Sequence, residues 1–477
     1  MESGKEEVKA AAAGRARLLL TVALALWTAA GLRPPSRPEP APAGAPPREF
    51  SAARAMAHVR AIAQRPHPLK SADHARVRTY IAGQFEELGT PAGLQIMPVT
   101  FRGDTIVLQN LVARLAGSGS TRPIMLAAHY DSTRHGPGAG DDAHGVAVLL
   151  ETLRALRAGP PLRNDVIFLV TDGEEAGLLG ASAFAKEHPW RQEPGVVLNF
   201  EARGTGGQAT MFETSAGNEW LIRNLQAAAP WANATSFAYE VYRRMPNDTD
   251  LTVFKRAGLA GLNFAFIEHP EWYHHSQDDP EHLDLRSVQE QGDYALSLAR
   301  QFGGVDLRRA ASGDAVYFPT RLTGLIVYSG WWVLPLALMT VLALVLAVLV
   351  GWRRGKRGLW MGRLLAIPAG LLLFVARAAP GASYVLQWPL LGGVVALAVL
   401  MTAREEIGTG WRLAVLMVVP ATSFLLIVPM LRTLVVALGA SAGGMIAALA
   451  VGFVLVTVMP QLMVIARSGV GAPRKAG

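Results

Sequence analysis

The sequence predicts an α/β domain with a mainly parallel central sheet flanked by helices, joined to an α-helical transmembrane domain. Three observations predict it. Four apolar runs, Thr105–Leu115, Pro123–Ala128, Asp165–Thr171 and Val196–Phe200, alternate with stretches of helical apolar spacing. Candidate chemistry-bearing residues sit at the ends of those runs, where parallel sheets collect their functional side chains. From about residue 322 the composition turns to Leu, Val, Ala and Gly with few charges, which is the composition of membrane spans.

The N-terminus comes first. Residues 1–17 are polar and end in Arg15 and Arg17, the expected cytoplasmic flank. Residues 18–32 are apolar apart from Thr and Gly and are expected to form a transmembrane anchor. Residues 33–48, RPPSRPEPAPAGAPPR, are expected to form a Pro-rich linker. The domain follows over 49–310. Its helical patterns are Val77–Leu88, ending at Gly89, then Ala143–Ala158 and Ala176–Lys186.

The membrane region, 322–477, holds about five expected spans: one near 331–351, two within 364–403, one at 413–431 and one at 440–466. Trp331 and Trp332 open the first as an aromatic belt. Arg353, Arg354, Lys356, Arg357 and Arg363 then mark a cytoplasmic loop, and Arg467, Arg474 and Lys475 a cytoplasmic tail. The domain is thereby expected on the other side of the membrane, periplasmic or extracellular, or lumenal in a eukaryote.

The chain has 477 residues and a net charge of +8, from 45 basic and 37 acidic side chains. No basic face interleaved with aromatics is present, so nucleic acid is not an expected partner. The basic residues instead flank membrane segments, with the lipid bilayer as partner. There is no cysteine, which excludes disulfides and thiolate metal sites. Any metal must use His and carboxylate, a donor set that suits hydrolytic zinc.

Five short motifs carry such donors. In Ala127-Ala-His129-Tyr-Asp131-Ser132, His129 at a strand end offers a ring nitrogen to a metal. Asp131 is placed to accept its other ring N–H. In Gly136-Pro-Gly-Ala-Gly-Asp141-Asp142-Ala-His144, glycines turn the chain tightly before an Asp opens the helix. Asp141 is the candidate bridging ligand and Asp142 the cap or a supporting group. Glu174 and Glu175 follow a buried strand and are costly there unless paired or metal-bound. Neighbouring residues point in different directions, so one can bind metal while the other faces water. Glu201 ends an apolar strand, with Arg203 as an alternative partner. Trp272-Tyr-His274-His275-Ser-Gln-Asp278-Asp279 offers two adjacent histidines, and the residues alone do not choose between them; Asp278 or Asp279 can orient the ligand.

These motifs, in this order, resemble the zinc metallopeptidase family of aminopeptidase Y, bacterial leucyl aminopeptidase and glutamate carboxypeptidase. Its pattern, H-x-D, G-A-x-D-[DN]-x-S-G, E-E-x-G-L-x-G, an acid after a strand, then Y-H-[ST]-x-x-D, reads here as His129-x-Asp131, Gly138 to Gly145, Glu174 to Gly180, Glu201, and His275-Ser-x-x-Asp279. That last spacing selects His275 over His274. His144 stands where the family has a small residue, and Glu201 where many members have Asp. Pro246–Phe254 and Asn199–Gly204 resemble the membrane-embedded branch that includes the endoplasmic reticulum metallopeptidase and the vacuolar membrane protease.

The resemblance implies a zinc exopeptidase-like sandwich with two Zn2+ per chain. His129 and Glu201 would hold one ion and Glu175 and His275 the other, with Asp141 bridging. Glu174 and Asp131 would be the catalytic residues, and Asp142 and Asp279 supporting ones. The implied activity is removal of N-terminal residues from peptides. A carboxypeptidase, a glutaminyl cyclase-like enzyme and a non-catalytic peptide-binding or receptor module remain alternatives. Oligomeric state is not legible.

Overall fold

The computed structural model describes residues 36–402, apart from 310–312, 321–322 and 354–358, with a few single positions outside that range. The chain forms two compact units, Pro35–Gly330 and a second made of Met1–Pro34 with Trp331–Gly477.

The first unit is built on an eight-stranded sheet of order β1-β2-β4-β3-β5-β8-β6-β7. The strands are β1 (Gly93–Phe101), β2 (Asp104–Leu115), β3 (Ile124–His129), β4 (Val166–Thr171), β5 (Val196–Ala202), β6 (Thr210–Thr214), β7 (Asn233–Ala234) and β8 (Gly261–Phe266). The central four, β4-β3-β5-β8, are parallel. The β1–β2 hairpin pairs antiparallel with β4, and β6 antiparallel with β8. The sheet is therefore mixed, with a parallel core. Every residue of β3, β4, β5 and β8 is buried, which explains why the first three read as apolar runs rather than alternating ones; β8, interrupted by Gly261 and Asn263, is not among the expected strands.

Alternate residues of the central strands enter two cores. On one face Leu126, Phe168, Leu198 and Phe264 meet helices α1 (Ala52–Ile62), α2 (Ala72–Glu87), α3 (His144–Arg157), α5 (Glu219–Ala228) and α8 (Leu285–Gly304). On the other, Met125, Ile167 and Val197 meet α4 (Leu179–Glu187) and α7 (Asp250–Arg256) through Ala181, Phe184, Leu251 and Phe254. A shorter helix, α6 (Ser236–Tyr242), precedes α7. The expected helix over 176–186 starts only at Leu179. Gly177 and Leu178 N–H both bond back to Glu174 O, and Leu178 takes a positive φ of 58°.

The Pro-rich stretch does not hang free as a linker. Within it Arg37 pairs with Asp284 at 2.8 Å and donates to Gly207 O at 2.9 Å. Ala41 N–H donates to Gln289 Oε1, and Ser51 Oγ donates to Ala41 O and Pro42 O. Proline removes N–H donors but not carbonyl acceptors or side chains, so the segment is strapped down by its remaining groups. Gln289 is the buckle: its oxygen also accepts from Ala52 N–H at 2.9 Å, and its amide donates to Phe50 O at 3.2 Å and Asp293 Oδ1 at 2.9 Å. Gln289→Ala leaves several buried backbone groups unpaired and is expected to cost about 2–4 kcal/mol. Thermal unfolding of the variant, with proteolysis read within residues 36–48, checks this.

The domain also runs past the expected boundary at 310. Strands β9 (Ala315–Thr320) and β10 (Gly324–Ser329) form a hairpin whose Val316, Tyr317 and Leu325 are buried, and Leu325 N–H donates to Pro230 O at 2.7 Å.

In the second unit, helices α9 (Val333–Arg353), α10 (Leu359–Ala378) and α11 (Tyr384–Thr402) fall where three spans are expected. Gln387 Nε2 donates to Thr340 Oγ1 at 2.6 Å, a polar clip between α11 and α9. Among the described residues, one helical stretch, Gly330–Val350, is long and apolar enough to cross a membrane. The expected anchor at 18–32 lies largely outside the described residues, and the expected spans at 413–431 and 440–466 do so almost entirely.

Candidate metal centre

The four parallel strands deliver their carboxyl ends to one place, the crevice where such sheets bind ligands. β3 ends in His129. Asp141 and Asp142 lie in a tight, non-helical turn within Ala139–Ala143, which leads into α3. β4 is followed by Glu174 and Glu175, β5 carries Glu201 next to its end, and the loop after β8 brings in the Tyr273–Asp278 turn. Two glycines make the Asp141 turn possible. Gly138 adopts φ 68°, and at Gly140 a side chain would collide with Gly204 O.

Two triads of side chains result, sharing one carboxylate. In the first, His129 Nε2 lies 3.1 Å from Asp141 Oδ1 and 3.7 Å from Glu201 Oε2. In the second, His274 Nε2 lies 3.0 Å from Asp141 Oδ2 and 3.0 Å from Glu175 Oε1. The two oxygens of Asp141 thus face different histidines.

The electrostatics of this cluster are those of a site short of positive charge. Burial drives the Glu201 carboxyl well above the usual carboxylate range, with Asp142, Glu174 and Asp141 adding to it against the pull of His129. Burial and Asp141 push Glu175 up to about 7. Burial disfavours a charged His274, but Asp141 and Glu175 outweigh it and raise the ring to about 10. Glu175 Oε1 is buried without a hydrogen-bond partner, because the His274 N–H is directed at Asp141. Buried acceptors of this kind demand a cation. Two imidazole nitrogens and three carboxylates fit zinc by donor type.

A second tier of contacts fixes the donors. His129 Nδ1–H donates to the backbone O of Asp131 at 3.0 Å. The Asp131 carboxylate stands 3.5 Å from that nitrogen and instead accepts from Glu174 N–H at 2.9 Å and Glu175 N–H at 3.2 Å. Asp131 therefore holds both glutamates as well as the histidine. Asp142 accepts from His129 N–H and Gly145 N–H, each at 3.1 Å. Asp172, gripped by His74 Nε2 at 2.8 Å and Gln109 N–H at 2.8 Å, anchors the start of the Glu174 loop. Thr171 Oγ1 donates to the buried Asp250 at 2.5 Å, and burial lifts that carboxyl to about 6.

The sequence profile described as Peptidase family M28 matches residues 110–299, a span that contains both triads. Residues 110–299 form an M28 domain. Endoplasmic reticulum metallopeptidase 1 of Homo sapiens is 33% identical over 220 residues, covering 44% of this chain and 24% of that protein. The vacuolar membrane protease of Candida albicans is 34% identical over 251 residues, covering 51% of this chain and 29% of that protein. The matched part of the chain thus spans less than a third of these relatives' length. Among solved structures, a zinc aminopeptidase from Bacillus subtilis aligns at 15% identity and TM-score 0.43, covering 52% of this chain and 94% of that one. A glutaminyl cyclase from Porphyromonas gingivalis aligns at 19% identity and TM-score 0.45, covering 53% and 99%.

Within the M28 domain, the structure gathers His129, Asp141, Glu175 and Glu201 in the two triads, with Asp131 and Asp142 directly behind them. Two sequence expectations are corrected. The histidine at the site is His274, not His275. His274 takes a positive φ of 63°, which turns its ring into the cluster, and His275 is exposed. The supporting acid is Asp278, not Asp279. Asp278 is buried and accepts from Gly140 N–H at 2.5 Å and Asp141 N–H at 3.1 Å. Asp279 instead caps a turn through His282 Nδ1 at 2.7 Å. Tyr273 before His274, with Asp278 four residues after it, satisfies the Y-H…D spacing, so the signal was present; Ser276 after His275 pointed the other way. Sequence reasoning gave no role to Asp172, at the head of the Glu174 loop, and passed over His74 and Asn110, which brace it from distant elements and carry no motif of their own; Asn110 Oδ1 accepts from Asp172 N–H at 2.9 Å.

Proposed function

We propose that the domain is a two-zinc peptidase, with His129 and Glu201 on one ion, Glu175 and His274 on the other, and Asp141 shared. The observation that carries this reading is the pair of triads meeting at the two oxygens of Asp141. Zinc in such a site polarises the scissile carbonyl and lowers the pKa of water.

The chain's own residues supply the rest. Glu174 belongs to neither triad, yet its carboxylate feels His129, Asp141 and Glu175. Burial raises its pKa well above the usual range, the adjustment that fits a carboxylate for taking and returning a proton near neutral pH. Asp131 holds the Glu174 N–H, fixing the carboxylate's root. Glu174 takes the proton of the attacking water and passes it to the leaving amine. Buried Asp142 and Asp278 position the backbone around the bridging Asp141.

The substrates in this reading are peptides shortened from their N-terminus. In this reading the domain sits on the non-cytoplasmic face of a membrane, with further spans beyond; the apolar stretch Gly330–Val350 and the Arg-rich segment after it support that orientation. Metal analysis of the purified full chain, combined with a panel of free, N-blocked and amidated peptides, tests the reading. Two zinc ions per chain and cleavage that requires a free amino terminus are expected. One ion per chain, or release of pyroglutamyl products instead of hydrolysis, overturns it.

A further inference from the structure

Arg203 was a candidate partner for Glu201, and the structure gives it another place. Glu201 Oε1 accepts from Asn199 Nδ2 at 3.2 Å. Arg203 lies two residues further along, in the bend just past the end of β5. Its N–H bonds Phe266 O at 3.0 Å, and Thr205 N–H bonds Glu268 O at 3.1 Å, so its backbone is fixed to the end of β8. The guanidinium is exposed, and its carbon lies 5.9 Å from the centre of the Tyr273 ring. That ring in turn stacks on His274, with centroids 3.7 Å apart.

Among the described residues, no carboxylate or carbonyl accepts from this guanidinium. Elsewhere in the domain Arg37, Arg54, Arg114 and Arg154 are each held by a carboxylate. Arg203 is thus an open cation on an anchored backbone, two ring contacts out from the clustered donors. The 5.9 Å and 3.7 Å contacts put the guanidinium carbon no more than about 9.6 Å from the centre of the His274 ring, a gap that up to three residues of extended peptide, at about 3.3–3.6 Å each, can span.

We propose that Arg203 is a specificity-determining residue that pairs with a carboxylate of the substrate beyond the scissile bond. The inference rests on the peptidase reading of the site. An arginine presents paired N–H groups that match a carboxylate and an aromatic face that supports the cation from behind. Such a carboxylate comes from the C-terminus of a short peptide or from an acidic side chain.

The test compares wild type, Arg203→Ala and Arg203→Lys as full-length, zinc-loaded protein on Ala-Ala, Ala-Ala-amide and Ala-Glu-amide. Arg203→Ala is expected to lower kcat/KM about 10–100-fold on a carboxylate-bearing substrate, mainly through KM, and to change Ala-Ala-amide by less than about two-fold. Arg203→Lys should recover part of the loss. Loss on Ala-Ala alone assigns the chain terminus; loss on Ala-Glu-amide alone assigns the side chain. Equal losses on all three peptides, or none on any, overturn the proposal. Calorimetric binding of the same peptides to Glu174→Gln, with and without Arg203→Ala, reads the preference without turnover. If wild type cleaves none of the peptides, the peptidase reading falls, and this binding comparison still decides the role of Arg203.

Discussion

Glu174→Gln is expected to lower kcat/KM by about 10²–10⁴-fold and to leave the bound metal unchanged. The two outcomes separate because of where Glu174 stands. It belongs to neither triad, so the donors of both triads survive the change. Gln preserves the size and the backbone N–H that Asp131 grips at 2.9 Å. Only the proton acceptor is lost. A loss of that size corresponds to roughly 3–5 kcal/mol of barrier, a plausible share for one general base. Steady-state rates beside metal content measured on the same preparation check it. Unimpaired turnover sinks the assignment, and a fall in metal content would make Glu174 a ligand instead.

The second large effect divides two neighbours. His274→Ala is expected to remove most of one metal equivalent and most of the activity, and His275→Ala to leave both near wild type. The His274 ring supplies the nitrogen of the second triad, and its removal leaves Asp141 and Glu175 facing each other without a cation. Unrelieved carboxylate repulsion adds to the missing donor, so the loss of affinity should exceed the 10–100-fold typical of a lost supporting partner. His275 is exposed, and the contacts described for it are backbone hydrogen bonds of the turn. Metal-binding titrations of both variants decide the matter. If His275→Ala loses the metal and His274→Ala keeps it, the turn is reversed.

The position of Asp278 explains why this turn matters beyond one ligand. Its carboxylate reaches across from the His274 loop to the N–H groups of Gly140 and Asp141. The two oxygens of Asp141 in turn face both histidines. The loop after β8 therefore brings a histidine to the second triad and also holds the residue that both triads share. A change in this loop is felt in both halves of the site.

The M28 domain was legible in sequence wherever a property belonged to a short stretch. Three of the four apolar runs became β3, β4 and β5, whose every residue is buried, because a strand buried on both faces has no polar side to show; the fourth became the partly exposed β2. His129, Asp141, Glu175 and Glu201 could be found because each lies at or close after a strand's end, where an acid or imidazole is costly without a partner. The antiparallel flanks left a weaker signal. β1 exposes Leu94 and Ile96, so its burial pattern does not set it apart from a loop.

What the sequence by itself determined was the set of donors, their order and the layered domain that carries them. What only the tertiary structure decided was which of two adjacent residues faces inward. His274 and His275, like Asp278 and Asp279, differ by one position, and the choice between them rests on a backbone turn with positive φ at His274. The same holds for the Pro-rich segment, whose composition predicts extension but not the Asp284 and Gln289 side chains that fasten it. Both depend on partners about 130 to 250 residues away in the chain, and local sequence carries no record of such distant contacts.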